Sequence, residues 1–157
     1  MNFLIGEYEC KLDAKGRMVV PAALKRQLPD VEREGLVVNR GFDGNLVIYT
    51  RAEWTKLLGQ LSRLNQFQAK NRDFVRKFTS GATELTLDSA GRVLLPKALL
   101  DYAQVGSDLV LVCNLSKVEL WSKAKYEEKM DAISEEDFSD LAESVMGDFD
   151  LEGGFNV

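Results

Sequence analysis

The sequence predicts an α+β protein in which two copies of one β-rich unit share a single core. Three observations predict it: an internal duplication, short β-rich runs separated by turn-forming clusters, and a helical pattern at the end of each copy. The chain has 157 residues, of which 45% are apolar and 29% charged, a balance typical of globular proteins. Strands this short cannot bury a core alone, so the two copies are expected to pack together.

The duplication relates residues 6–26 to residues 81–101 at a constant offset of 75 positions. The first segment reads GEYECKLDAKGRMVVPAALKR and the second reads GATELTLDSAGRVLLPKALLD. Aspartate, glycine, arginine and proline all match in register, which is too dense an agreement to arise by chance. The duplication therefore favours one pseudo-symmetric body over two independent units.

Each copy is expected to run strand, turn, strand, short helix, strand, turn, strand and helix. Pro21 and Pro96 are expected at the first position of the short helices, where a missing N–H costs nothing. The strands are predicted at 8–12, 17–20, 36–39 and 46–49 in the first copy, and the later strands of the second copy at 109–112 and 118–121. The closing helices are predicted at 52–64 and 123–130.

A basic and aromatic segment, 66–79, connects the two copies. Phe67, Phe74 and Phe78 fit one helical stripe, which favours a helix that packs on the body with a solvated basic face. A direct role in nucleic-acid binding is the alternative. Ser134, followed by acidic residues, predicts the start of a last helix, and residues 148–157 are expected to be disordered.

These boundaries divide the chain into four parts. The expected domains are a first repeat at 6–65, a linking helix at 66–80, a second repeat at 81–130, and an acidic C-terminal helix and tail at 131–157.

Composition excludes several kinds of chemistry. The chain has no histidine, which rules out Ser-His-Asp and Cys-His nucleophilic sites and histidine-based metal sites. Its two cysteines, Cys10 and Cys113, form no CxxC motif, which is typical of a reducing cytoplasm. The N-terminus lacks a signal-peptide pattern, and no run of 18 apolar residues predicts a membrane span. No cofactor, metal, membrane or small-molecule substrate is expected.

The charge is distributed unevenly along the chain. The net charge of −5 argues against a nucleic-acid partner, but nine acidic residues and no basic residue follow Lys129. Residues 1–130 carry 20 basic and 16 acidic groups, a net charge of +4, and the excess lies within residues 1–80. The chain is therefore a mildly basic body with an acidic tail.

The repeated motif is Asp-x-x-Gly-Arg, followed by three apolar residues and a proline. Gly16 permits a positive φ in a tight turn between two strands, and Asp13 is suited to accept the backbone N–H bonds that fix such a turn. Arg17 follows the turn with five donors in a planar fork. The second copy repeats these roles with Asp88, Gly91 and Arg92.

Two interpretations of this motif compete. The simpler one is an Asp–Arg salt bridge that stiffens a hairpin; in the other, each turn presents a guanidinium to a phosphate or a base. Recurrence in both copies favours the second, as do Lys11 and Lys15, which could share one strand face with Arg17. Thr86 and Ala90 replace these lysines in the second copy, which weakens its positive charge. The candidate DNA-binding residues are Lys11, Asp13, Lys15, Gly16, Arg17, Asp88, Gly91 and Arg92.

The duplicated segments LDAKGRMVVPAAL and LDSAGRVLLPKAL, with the opening GEYECKLDAKGR, resemble the MraZ family of bacterial transcriptional regulators. The resemblance covers about residues 1–145 and extends to the wider AbrB/SpoVT group of swapped-hairpin DNA-binding folds. It implies duplicated AbrB/SpoVT-like β-hairpin units that form one pseudo-two-fold β-barrel flanked by helices. It also maps the Asp-x-x-x-Arg pattern of the family onto Asp13 and Arg17 and onto Asp88 and Arg92.

The resemblance implies a sequence-specific repressor of the cytoplasm and nucleoid that controls its own operon at the head of the division and cell-wall gene cluster. It also implies a ring-shaped homo-oligomer that holds several short promoter repeats in double-stranded DNA. Self-assembly fits the charge, because about three cations per copy bind weakly at cellular salt. Linked subunits gain roughly 10²–10⁴ in affinity.

Two other functions compete with this interpretation. One is a protein-interaction module, such as the toxin-neutralising antidote of a toxin pair with the same short hairpin fold. The acidic tail leaves room for a protein partner, whereas the duplication favours the regulator. An enzyme is not expected, because the sequence shows no nucleophile–base pair, phosphate loop or metal cluster.

Overall fold

The computed structural model describes residues 3–147, which form an α+β structure. Its strands are β1 (Glu7–Lys11), β2 (Arg17–Val19), β3 (Leu36–Arg40), β4 (Leu46–Thr50), β5 (Thr83–Leu85), β6 (Arg92–Leu94), β7 (Asp108–Asn114) and β8 (Lys117–Ser122). Its helices are α1 (Ala22–Lys25), α2 (Val31–Glu34), α3 (Arg51–Leu61), α4 (Ala69–Thr79), α5 (Lys97–Tyr102), α6 (Lys123–Asp131) and α7 (Glu135–Met146). None of the described helices is long and apolar enough to cross a bilayer.

Six strands form one open antiparallel sheet in the order β1-β7-β8-β4-β3-β5, and β2 pairs with β6 in a separate two-stranded ribbon. The expected β-barrel is therefore wrong. The end strands β1 and β5 each pair with one neighbour, and within residues 3–147 they do not pair with each other. The sheet stays open because the second strand of each copy leaves it for the ribbon and so cannot bridge the two edges.

The first strand of each copy pairs with a strand of the other copy. β1 extends the edge of β7, with Cys10 opposite Leu109, and β5 extends β3, with Leu85 opposite Leu36. The expected ladder between the first and second strands of one copy is absent from the described pairings, because both strands pair across the copies. If each strand of the sheet is exchanged for its counterpart in the other copy (β1 for β5, β3 for β7 and β4 for β8), the same strand order results, read from the opposite edge. A pseudo-two-fold axis stays a prediction.

One hydrophobic cluster draws residues from both copies. Leu46, Leu109 and Leu120 of the sheet are fully buried in it, and Leu24 and Leu99 bring α1 and α5 onto the same cluster. Burial of a leucine side chain stabilises a fold by about 1.5–3 kcal/mol. The two copies are thus held together by a shared core as well as by exchanged strands.

The prolines of the motif precede the short helices by one residue. Pro21 and Pro96 have extended ψ values of 137° and 136°, so neither stands at the first helical position predicted from the sequence. Their carbonyl oxygens accept the N–H groups of Lys25 at 2.8 Å and Leu100 at 3.0 Å. The prediction was one residue early because the extended conformation of β2 and β6 continues through the proline.

The linking helix α4 begins after the turn that contains Phe67. This side chain is 94% exposed, so it does not belong to the predicted aromatic stripe. Phe74 and Phe78 do form a stripe: their rings stack with centroids 5.8 Å apart, and Phe78 stacks on Trp54 at 6.2 Å. The Asn39 side-chain amide donates to the Phe78 carbonyl at 2.7 Å, which ties the end of α4 to β3.

The residues from Ala124 onward form a second compact unit. In this unit α7 begins where the sequence predicts. Ser134 Oγ accepts the Asp137 N–H at 3.0 Å, and the Asp137 carboxylate accepts the Ser134 N–H at 3.3 Å, which completes a capping box. The predicted disorder of 148–157 lies outside the described residues.

Candidate nucleic-acid interface

Two loops, one in each copy, close in the same way. In the first loop the Asp13 N–H donates to the Arg17 carbonyl at 2.9 Å, and the Gly16 N–H donates to the Asp13 carbonyl at 3.0 Å. Gly16 has a φ of +83°, which costs glycine nothing. The second loop repeats both bonds, each at 2.9 Å, with Asp88, Gly91 and Arg92. The repeat in the sequence is therefore also a repeat of backbone geometry.

The aspartate side chain organises each loop. Asp13 Oδ1 accepts the backbone N–H groups of Lys15 and Arg17, both at 2.9 Å, and Oδ2 accepts Arg17 Nε at 2.7 Å. The bond from the Arg17 backbone is the main cause that lowers the pKa of Asp13 to about 2. Asp88 makes the same three bonds at 2.9 Å in the second loop, and they lower its pKa as well.

Each arginine of the motif is held by one nitrogen. Nε is bonded to the aspartate, and within residues 3–147 the terminal Nη atoms of Arg17 and Arg92 donate to no other group. Both side chains are partly exposed. The salt bridge and the presented cation therefore occur together: the carboxylate aims the guanidinium and leaves its terminal donors for a ligand.

The two loops meet at a single ribbon. Met18 of β2 lies opposite Val93 of β6, at the centre of the antiparallel pair. The pairing continues beyond the strands, because the Val20 N–H donates to the Gly91 carbonyl and the Leu95 N–H to the Gly16 carbonyl, both at 3.0 Å. The arginines of the two copies therefore lie on one ribbon rather than on two separate hairpin tips.

The ribbon has one buried face and one exposed face. Met18 and Val93 point into the core, and alternation along the strands places their neighbours on the opposite side, here called the ribbon face. The ribbon face consists of Arg17, Val19, Arg92 and Leu94. Since Arg17 lies opposite Leu94, it is the diagonal neighbour of Arg92, and such neighbours are typically separated by roughly 7–8 Å.

Val19 and Leu94 are functional candidates that sequence reasoning missed. Both are large aliphatic side chains, 56% and 59% exposed, on the same face as the two arginines. The sequence offers a signal, because each stands two positions after its arginine and therefore on the same side of a strand. They were identified only as members of the run of three apolar residues that follows each arginine.

The structure treats the two predicted lysines differently. Lys15 is exposed and forms no ion pair among the described residues. Lys11 lies on β1 opposite Asp108, and its Nζ contacts Asp108 Oδ1 at 2.6 Å. This bond raises the pKa of Lys11 and lowers that of Asp108. The expected single face of Lys11, Lys15 and Arg17 does not form, because β1 belongs to the sheet and β2 to the ribbon.

The ribbon face carries hydrogen-bond donors and positive charge. Within residues 3–147 no three His, Cys, Asp or Glu side chains come together as metal ligands. Burial raises the pKa of the Cys10 thiol to about 11 and also raises that of Cys113, so both thiols stay protonated at neutral pH. The ribbon face offers guanidinium donors and exposed aliphatic groups, which are the groups that contact nucleic acids.

Comparison with protein families matches both halves of the chain to one family model. The model is described as "MraZ protein, putative antitoxin-like", and it matches residues 3–77 and again residues 78–149. The duplication predicted from the sequence is confirmed by these two matches. Their boundary falls in the last turns of α4.

Several full-length relatives are similar to this chain. A protein of Christiangramia forsetii is 45% identical over 151 residues, which cover 96% of this chain and 97% of the relative. Proteins of Flavobacterium psychrophilum and Cytophaga hutchinsonii are 43% and 42% identical, over 94% and 93% of this chain and 94% and 96% of their own lengths. Each of the three is named "Transcriptional regulator MraZ".

Proposed function

The chain belongs to the MraZ family, and on this premise we propose that it regulates transcription by binding double-stranded DNA through the ribbon face. The relatives that match over nearly the whole chain are named transcriptional regulators. One observation carries the proposal: Arg17 and Arg92, one from each copy, share one exposed face. This role needs no catalytic step and no cofactor.

The shape of the ribbon suits the major groove. A two-stranded antiparallel ribbon is narrow enough to enter this groove in B-form DNA. Because Arg17 and Arg92 are diagonal neighbours, both guanidinium groups can meet the same short stretch of duplex. With Nε held by an aspartate, the terminal donors are left for a phosphate or for O6 and N7 of guanine. A bidentate contact to guanine contributes about 1–3 kcal/mol of discrimination.

The aliphatic side chains of the ribbon face complete the contact. Val19 and Leu94 flank the two arginines and are exposed to solvent. The major groove presents the methyl group of thymine, which apolar side chains contact. In this proposal the arginines contact guanine or phosphate while Val19 and Leu94 contact neighbouring thymines.

The other predicted residues support the ribbon face. Lys15 is free to contact a phosphate beside the first loop. Lys11 is exposed but would have to exchange Asp108 for a phosphate, so its contribution is the smaller one. Four residues act indirectly, by closing the loops and aiming the arginines: Asp13, Gly16, Asp88 and Gly91.

Assembly compensates for the small number of cations on each chain. We propose a ring-shaped homo-oligomer that places several ribbon faces on successive promoter repeats. In this proposal it represses its own operon of division and cell-wall genes. The net charge of −5 makes a single chain a weak ligand for DNA. Linking several sites raises affinity by roughly 10²–10⁴ without any new contact. Such a repressor acts in the cytoplasm, at the nucleoid.

Footprinting on the DNA upstream of the coding sequence tests this proposal. The native chain is expected to protect short, regularly spaced repeats, with a protection that weakens as salt rises. Arg17→Ala should abolish the protection while leaving the folded assembly intact. Arg33→Ala removes an exposed, ion-paired arginine of α2, outside the ribbon, and serves as the control. Unchanged protection by Arg17→Ala would refute the assignment.

A second candidate function is a toxin-neutralising antidote of the same fold. The antitoxin-like description of the matching family model favours it. A stoichiometric small toxin that co-purifies with the native chain, and that is released by substitutions in α7 but not by Arg17→Ala, would support this function. Purification of the chain without such a partner would support the regulator.

A further inference from the structure

An aromatic groove runs between α3 and α4. It has a volume of about 330 Å³, and its apolar lining is Phe42, Tyr49, Leu57, Leu61, Phe74 and Phe78. Phe42 lines the groove and is 81% exposed, although its ring stacks on the ring of Phe78 with centroids 6.0 Å apart. An aromatic surface this open is typical of a binding site.

A second apolar surface lies on α7. Phe138, Leu141, Ala142 and Val145 form a stripe, here called the α7 stripe, along an open apolar cleft of about 650 Å³. Phe138 and Val145 are each 67% exposed, and α7 has no buried side chain. The spacing i, i+3, i+4 and i+7 is the pattern of a helix that docks in a groove.

The two surfaces carry opposite charge. α7 contains five acidic residues and no basic one, and Glu135, Glu136, Asp140 and Glu143 form no ion pair among the described residues. α4 contains four basic residues and one acidic one. Lys56 and Lys117 line the groove, and Lys70 and Lys77 belong to α4. None of these four lysines has an ion-pair partner in the part of the chain that the structure describes. Among the described residues, Glu53 is the one acidic side chain that lines the groove.

We propose that the α7 stripe of one chain docks in the aromatic groove of a second copy of the same chain. The apolar stripe would cover the exposed phenylalanine rings, and the unpaired carboxylates of α7 would meet the unpaired lysines of the groove. This inference rests on the oligomeric part of the proposed function and names the surfaces that build the oligomer.

The geometry of this contact sets the kind of assembly. Every chain carries one groove and one stripe, so the contact has two possible arrangements: head to tail from chain to chain, or a reciprocal exchange between two chains. A heterologous contact repeats from chain to chain and generates a ring when the rotation closes. A reciprocal exchange would instead stop at a dimer with two such contacts, so the mass of the native chain distinguishes the two arrangements.

Mixing two defective variants of the full chain tests the proposal in the absence of DNA. Phe138→Glu places a charge in the α7 stripe and leaves the aromatic groove intact. Phe42→Glu places a charge at the aromatic groove and leaves the α7 stripe intact. Both positions are exposed, so neither change disturbs the core. Each variant alone should sediment as a monomer, and an equimolar mixture should sediment as a dimer, because one intact stripe then meets one intact groove.

Phe67→Glu is the matched control, because Phe67 is 94% exposed and does not line the groove. It should sediment like the native chain, which should be larger than a dimer at every concentration above its assembly threshold. The proposal is overturned if either defective variant keeps the native mass, or if the mixture stays monomeric. A native chain that is monomeric, and whose α7 binds only its own groove or another protein, overturns it as well.

The same variants separate this inference from DNA binding, since their ribbon faces are intact. If the proposed function holds, the monomeric variants should bind DNA roughly 10²–10⁴ more weakly than the native chain. If the variants sediment as expected but the native chain does not bind DNA, the proposed function is refuted and the proposed interface is supported. DNA binding of native strength by the monomeric variants would refute the link between the two.

Discussion

Arg17 and Arg92 lie 75 positions apart in the sequence, yet they are diagonal neighbours on one exposed face of a two-stranded ribbon. Each is aimed by an aspartate four positions earlier, through the same three hydrogen bonds. The ribbon exists only because β2 of one copy pairs with β6 of the other. A duplicated chain thus builds one composite face, to which each copy contributes half.

Removal of the Asp13 carboxylate should weaken DNA binding. Electrostatics alone predicts the opposite, because Asp13→Ala removes a negative charge beside the duplex. The carboxylate, however, holds Arg17 Nε at 2.7 Å and fixes the loop through two backbone bonds. Asp43→Ala removes one exposed acid elsewhere and should leave binding unchanged or slightly tighter. Fluorescence anisotropy at two salt concentrations measures both variants, and tighter binding by Asp13→Ala would contradict an orienting role.

The pH dependence of the first loop follows from the pKa of Asp13. This pKa lies at about 2 in the folded chain, below the ordinary value of 3.8. The carboxylate bonds therefore stabilise the fold fully above about pH 4 and are lost as the pH falls through about 2. A ¹³C NMR titration of the side-chain carboxyl should show a midpoint near 2. A midpoint close to 4 would mean that the bonds do not form in solution.

The aliphatic residues of the ribbon face should read thymine. Val19→Ser and Leu94→Ser remove apolar contacts while leaving both arginines in place. Each should lower the preference for the native site over a site with uracil in place of thymine, by up to about tenfold, with little change in non-specific binding. Competition binding with the paired DNA probes measures this preference. An unchanged preference for thymine in both variants would remove these residues from the proposal.

Two glycines should respond to the same substitution with opposite sign. Gly35 has a φ of +68°, and a Cβ there would collide with the Leu85 carbonyl oxygen of the neighbouring strand. Gly35→Ala should therefore lower the free energy of unfolding by about 2 kcal/mol or more. Gly59 lies inside α3 with open space around it, so Gly59→Ala should raise that free energy by roughly 0.5–1 kcal/mol. Urea unfolding of both variants checks the pair, and equal shifts would contradict the exchange of β5 onto β3.

Local chemistry made the geometry of the two loops predictable from the sequence. The Asp-x-x-Gly-Arg loop depends on contacts within five residues, so the roles of Asp13, Gly16 and Arg17 could be inferred from one copy and checked against the other. The same holds for the helix that begins after Ser134, where the capping box spans four residues.

Pairing between distant segments was not predictable in the same way. Lys11 was grouped with Lys15 because the two are close in sequence, but its partner in the fold is Asp108, 97 positions away. The exposure of Val19 depends on β2 leaving the sheet for the ribbon, and the expected barrel failed for the same reason. Periodicity gives the faces of a strand, whereas the choice of partner strand is a property of the whole chain.

Arg92→Ala tests most directly whether both copies form one site. The second copy lacks counterparts of Lys11 and Lys15, so two independent tips would leave this arginine with little to contribute. One shared face predicts that Arg92→Ala weakens binding to the native promoter site by at least about tenfold, as Arg17→Ala does, while sedimentation stays native. If Arg92→Ala binds the promoter as tightly as the native chain does, while Arg17→Ala loses promoter binding, the composite ribbon face is contradicted.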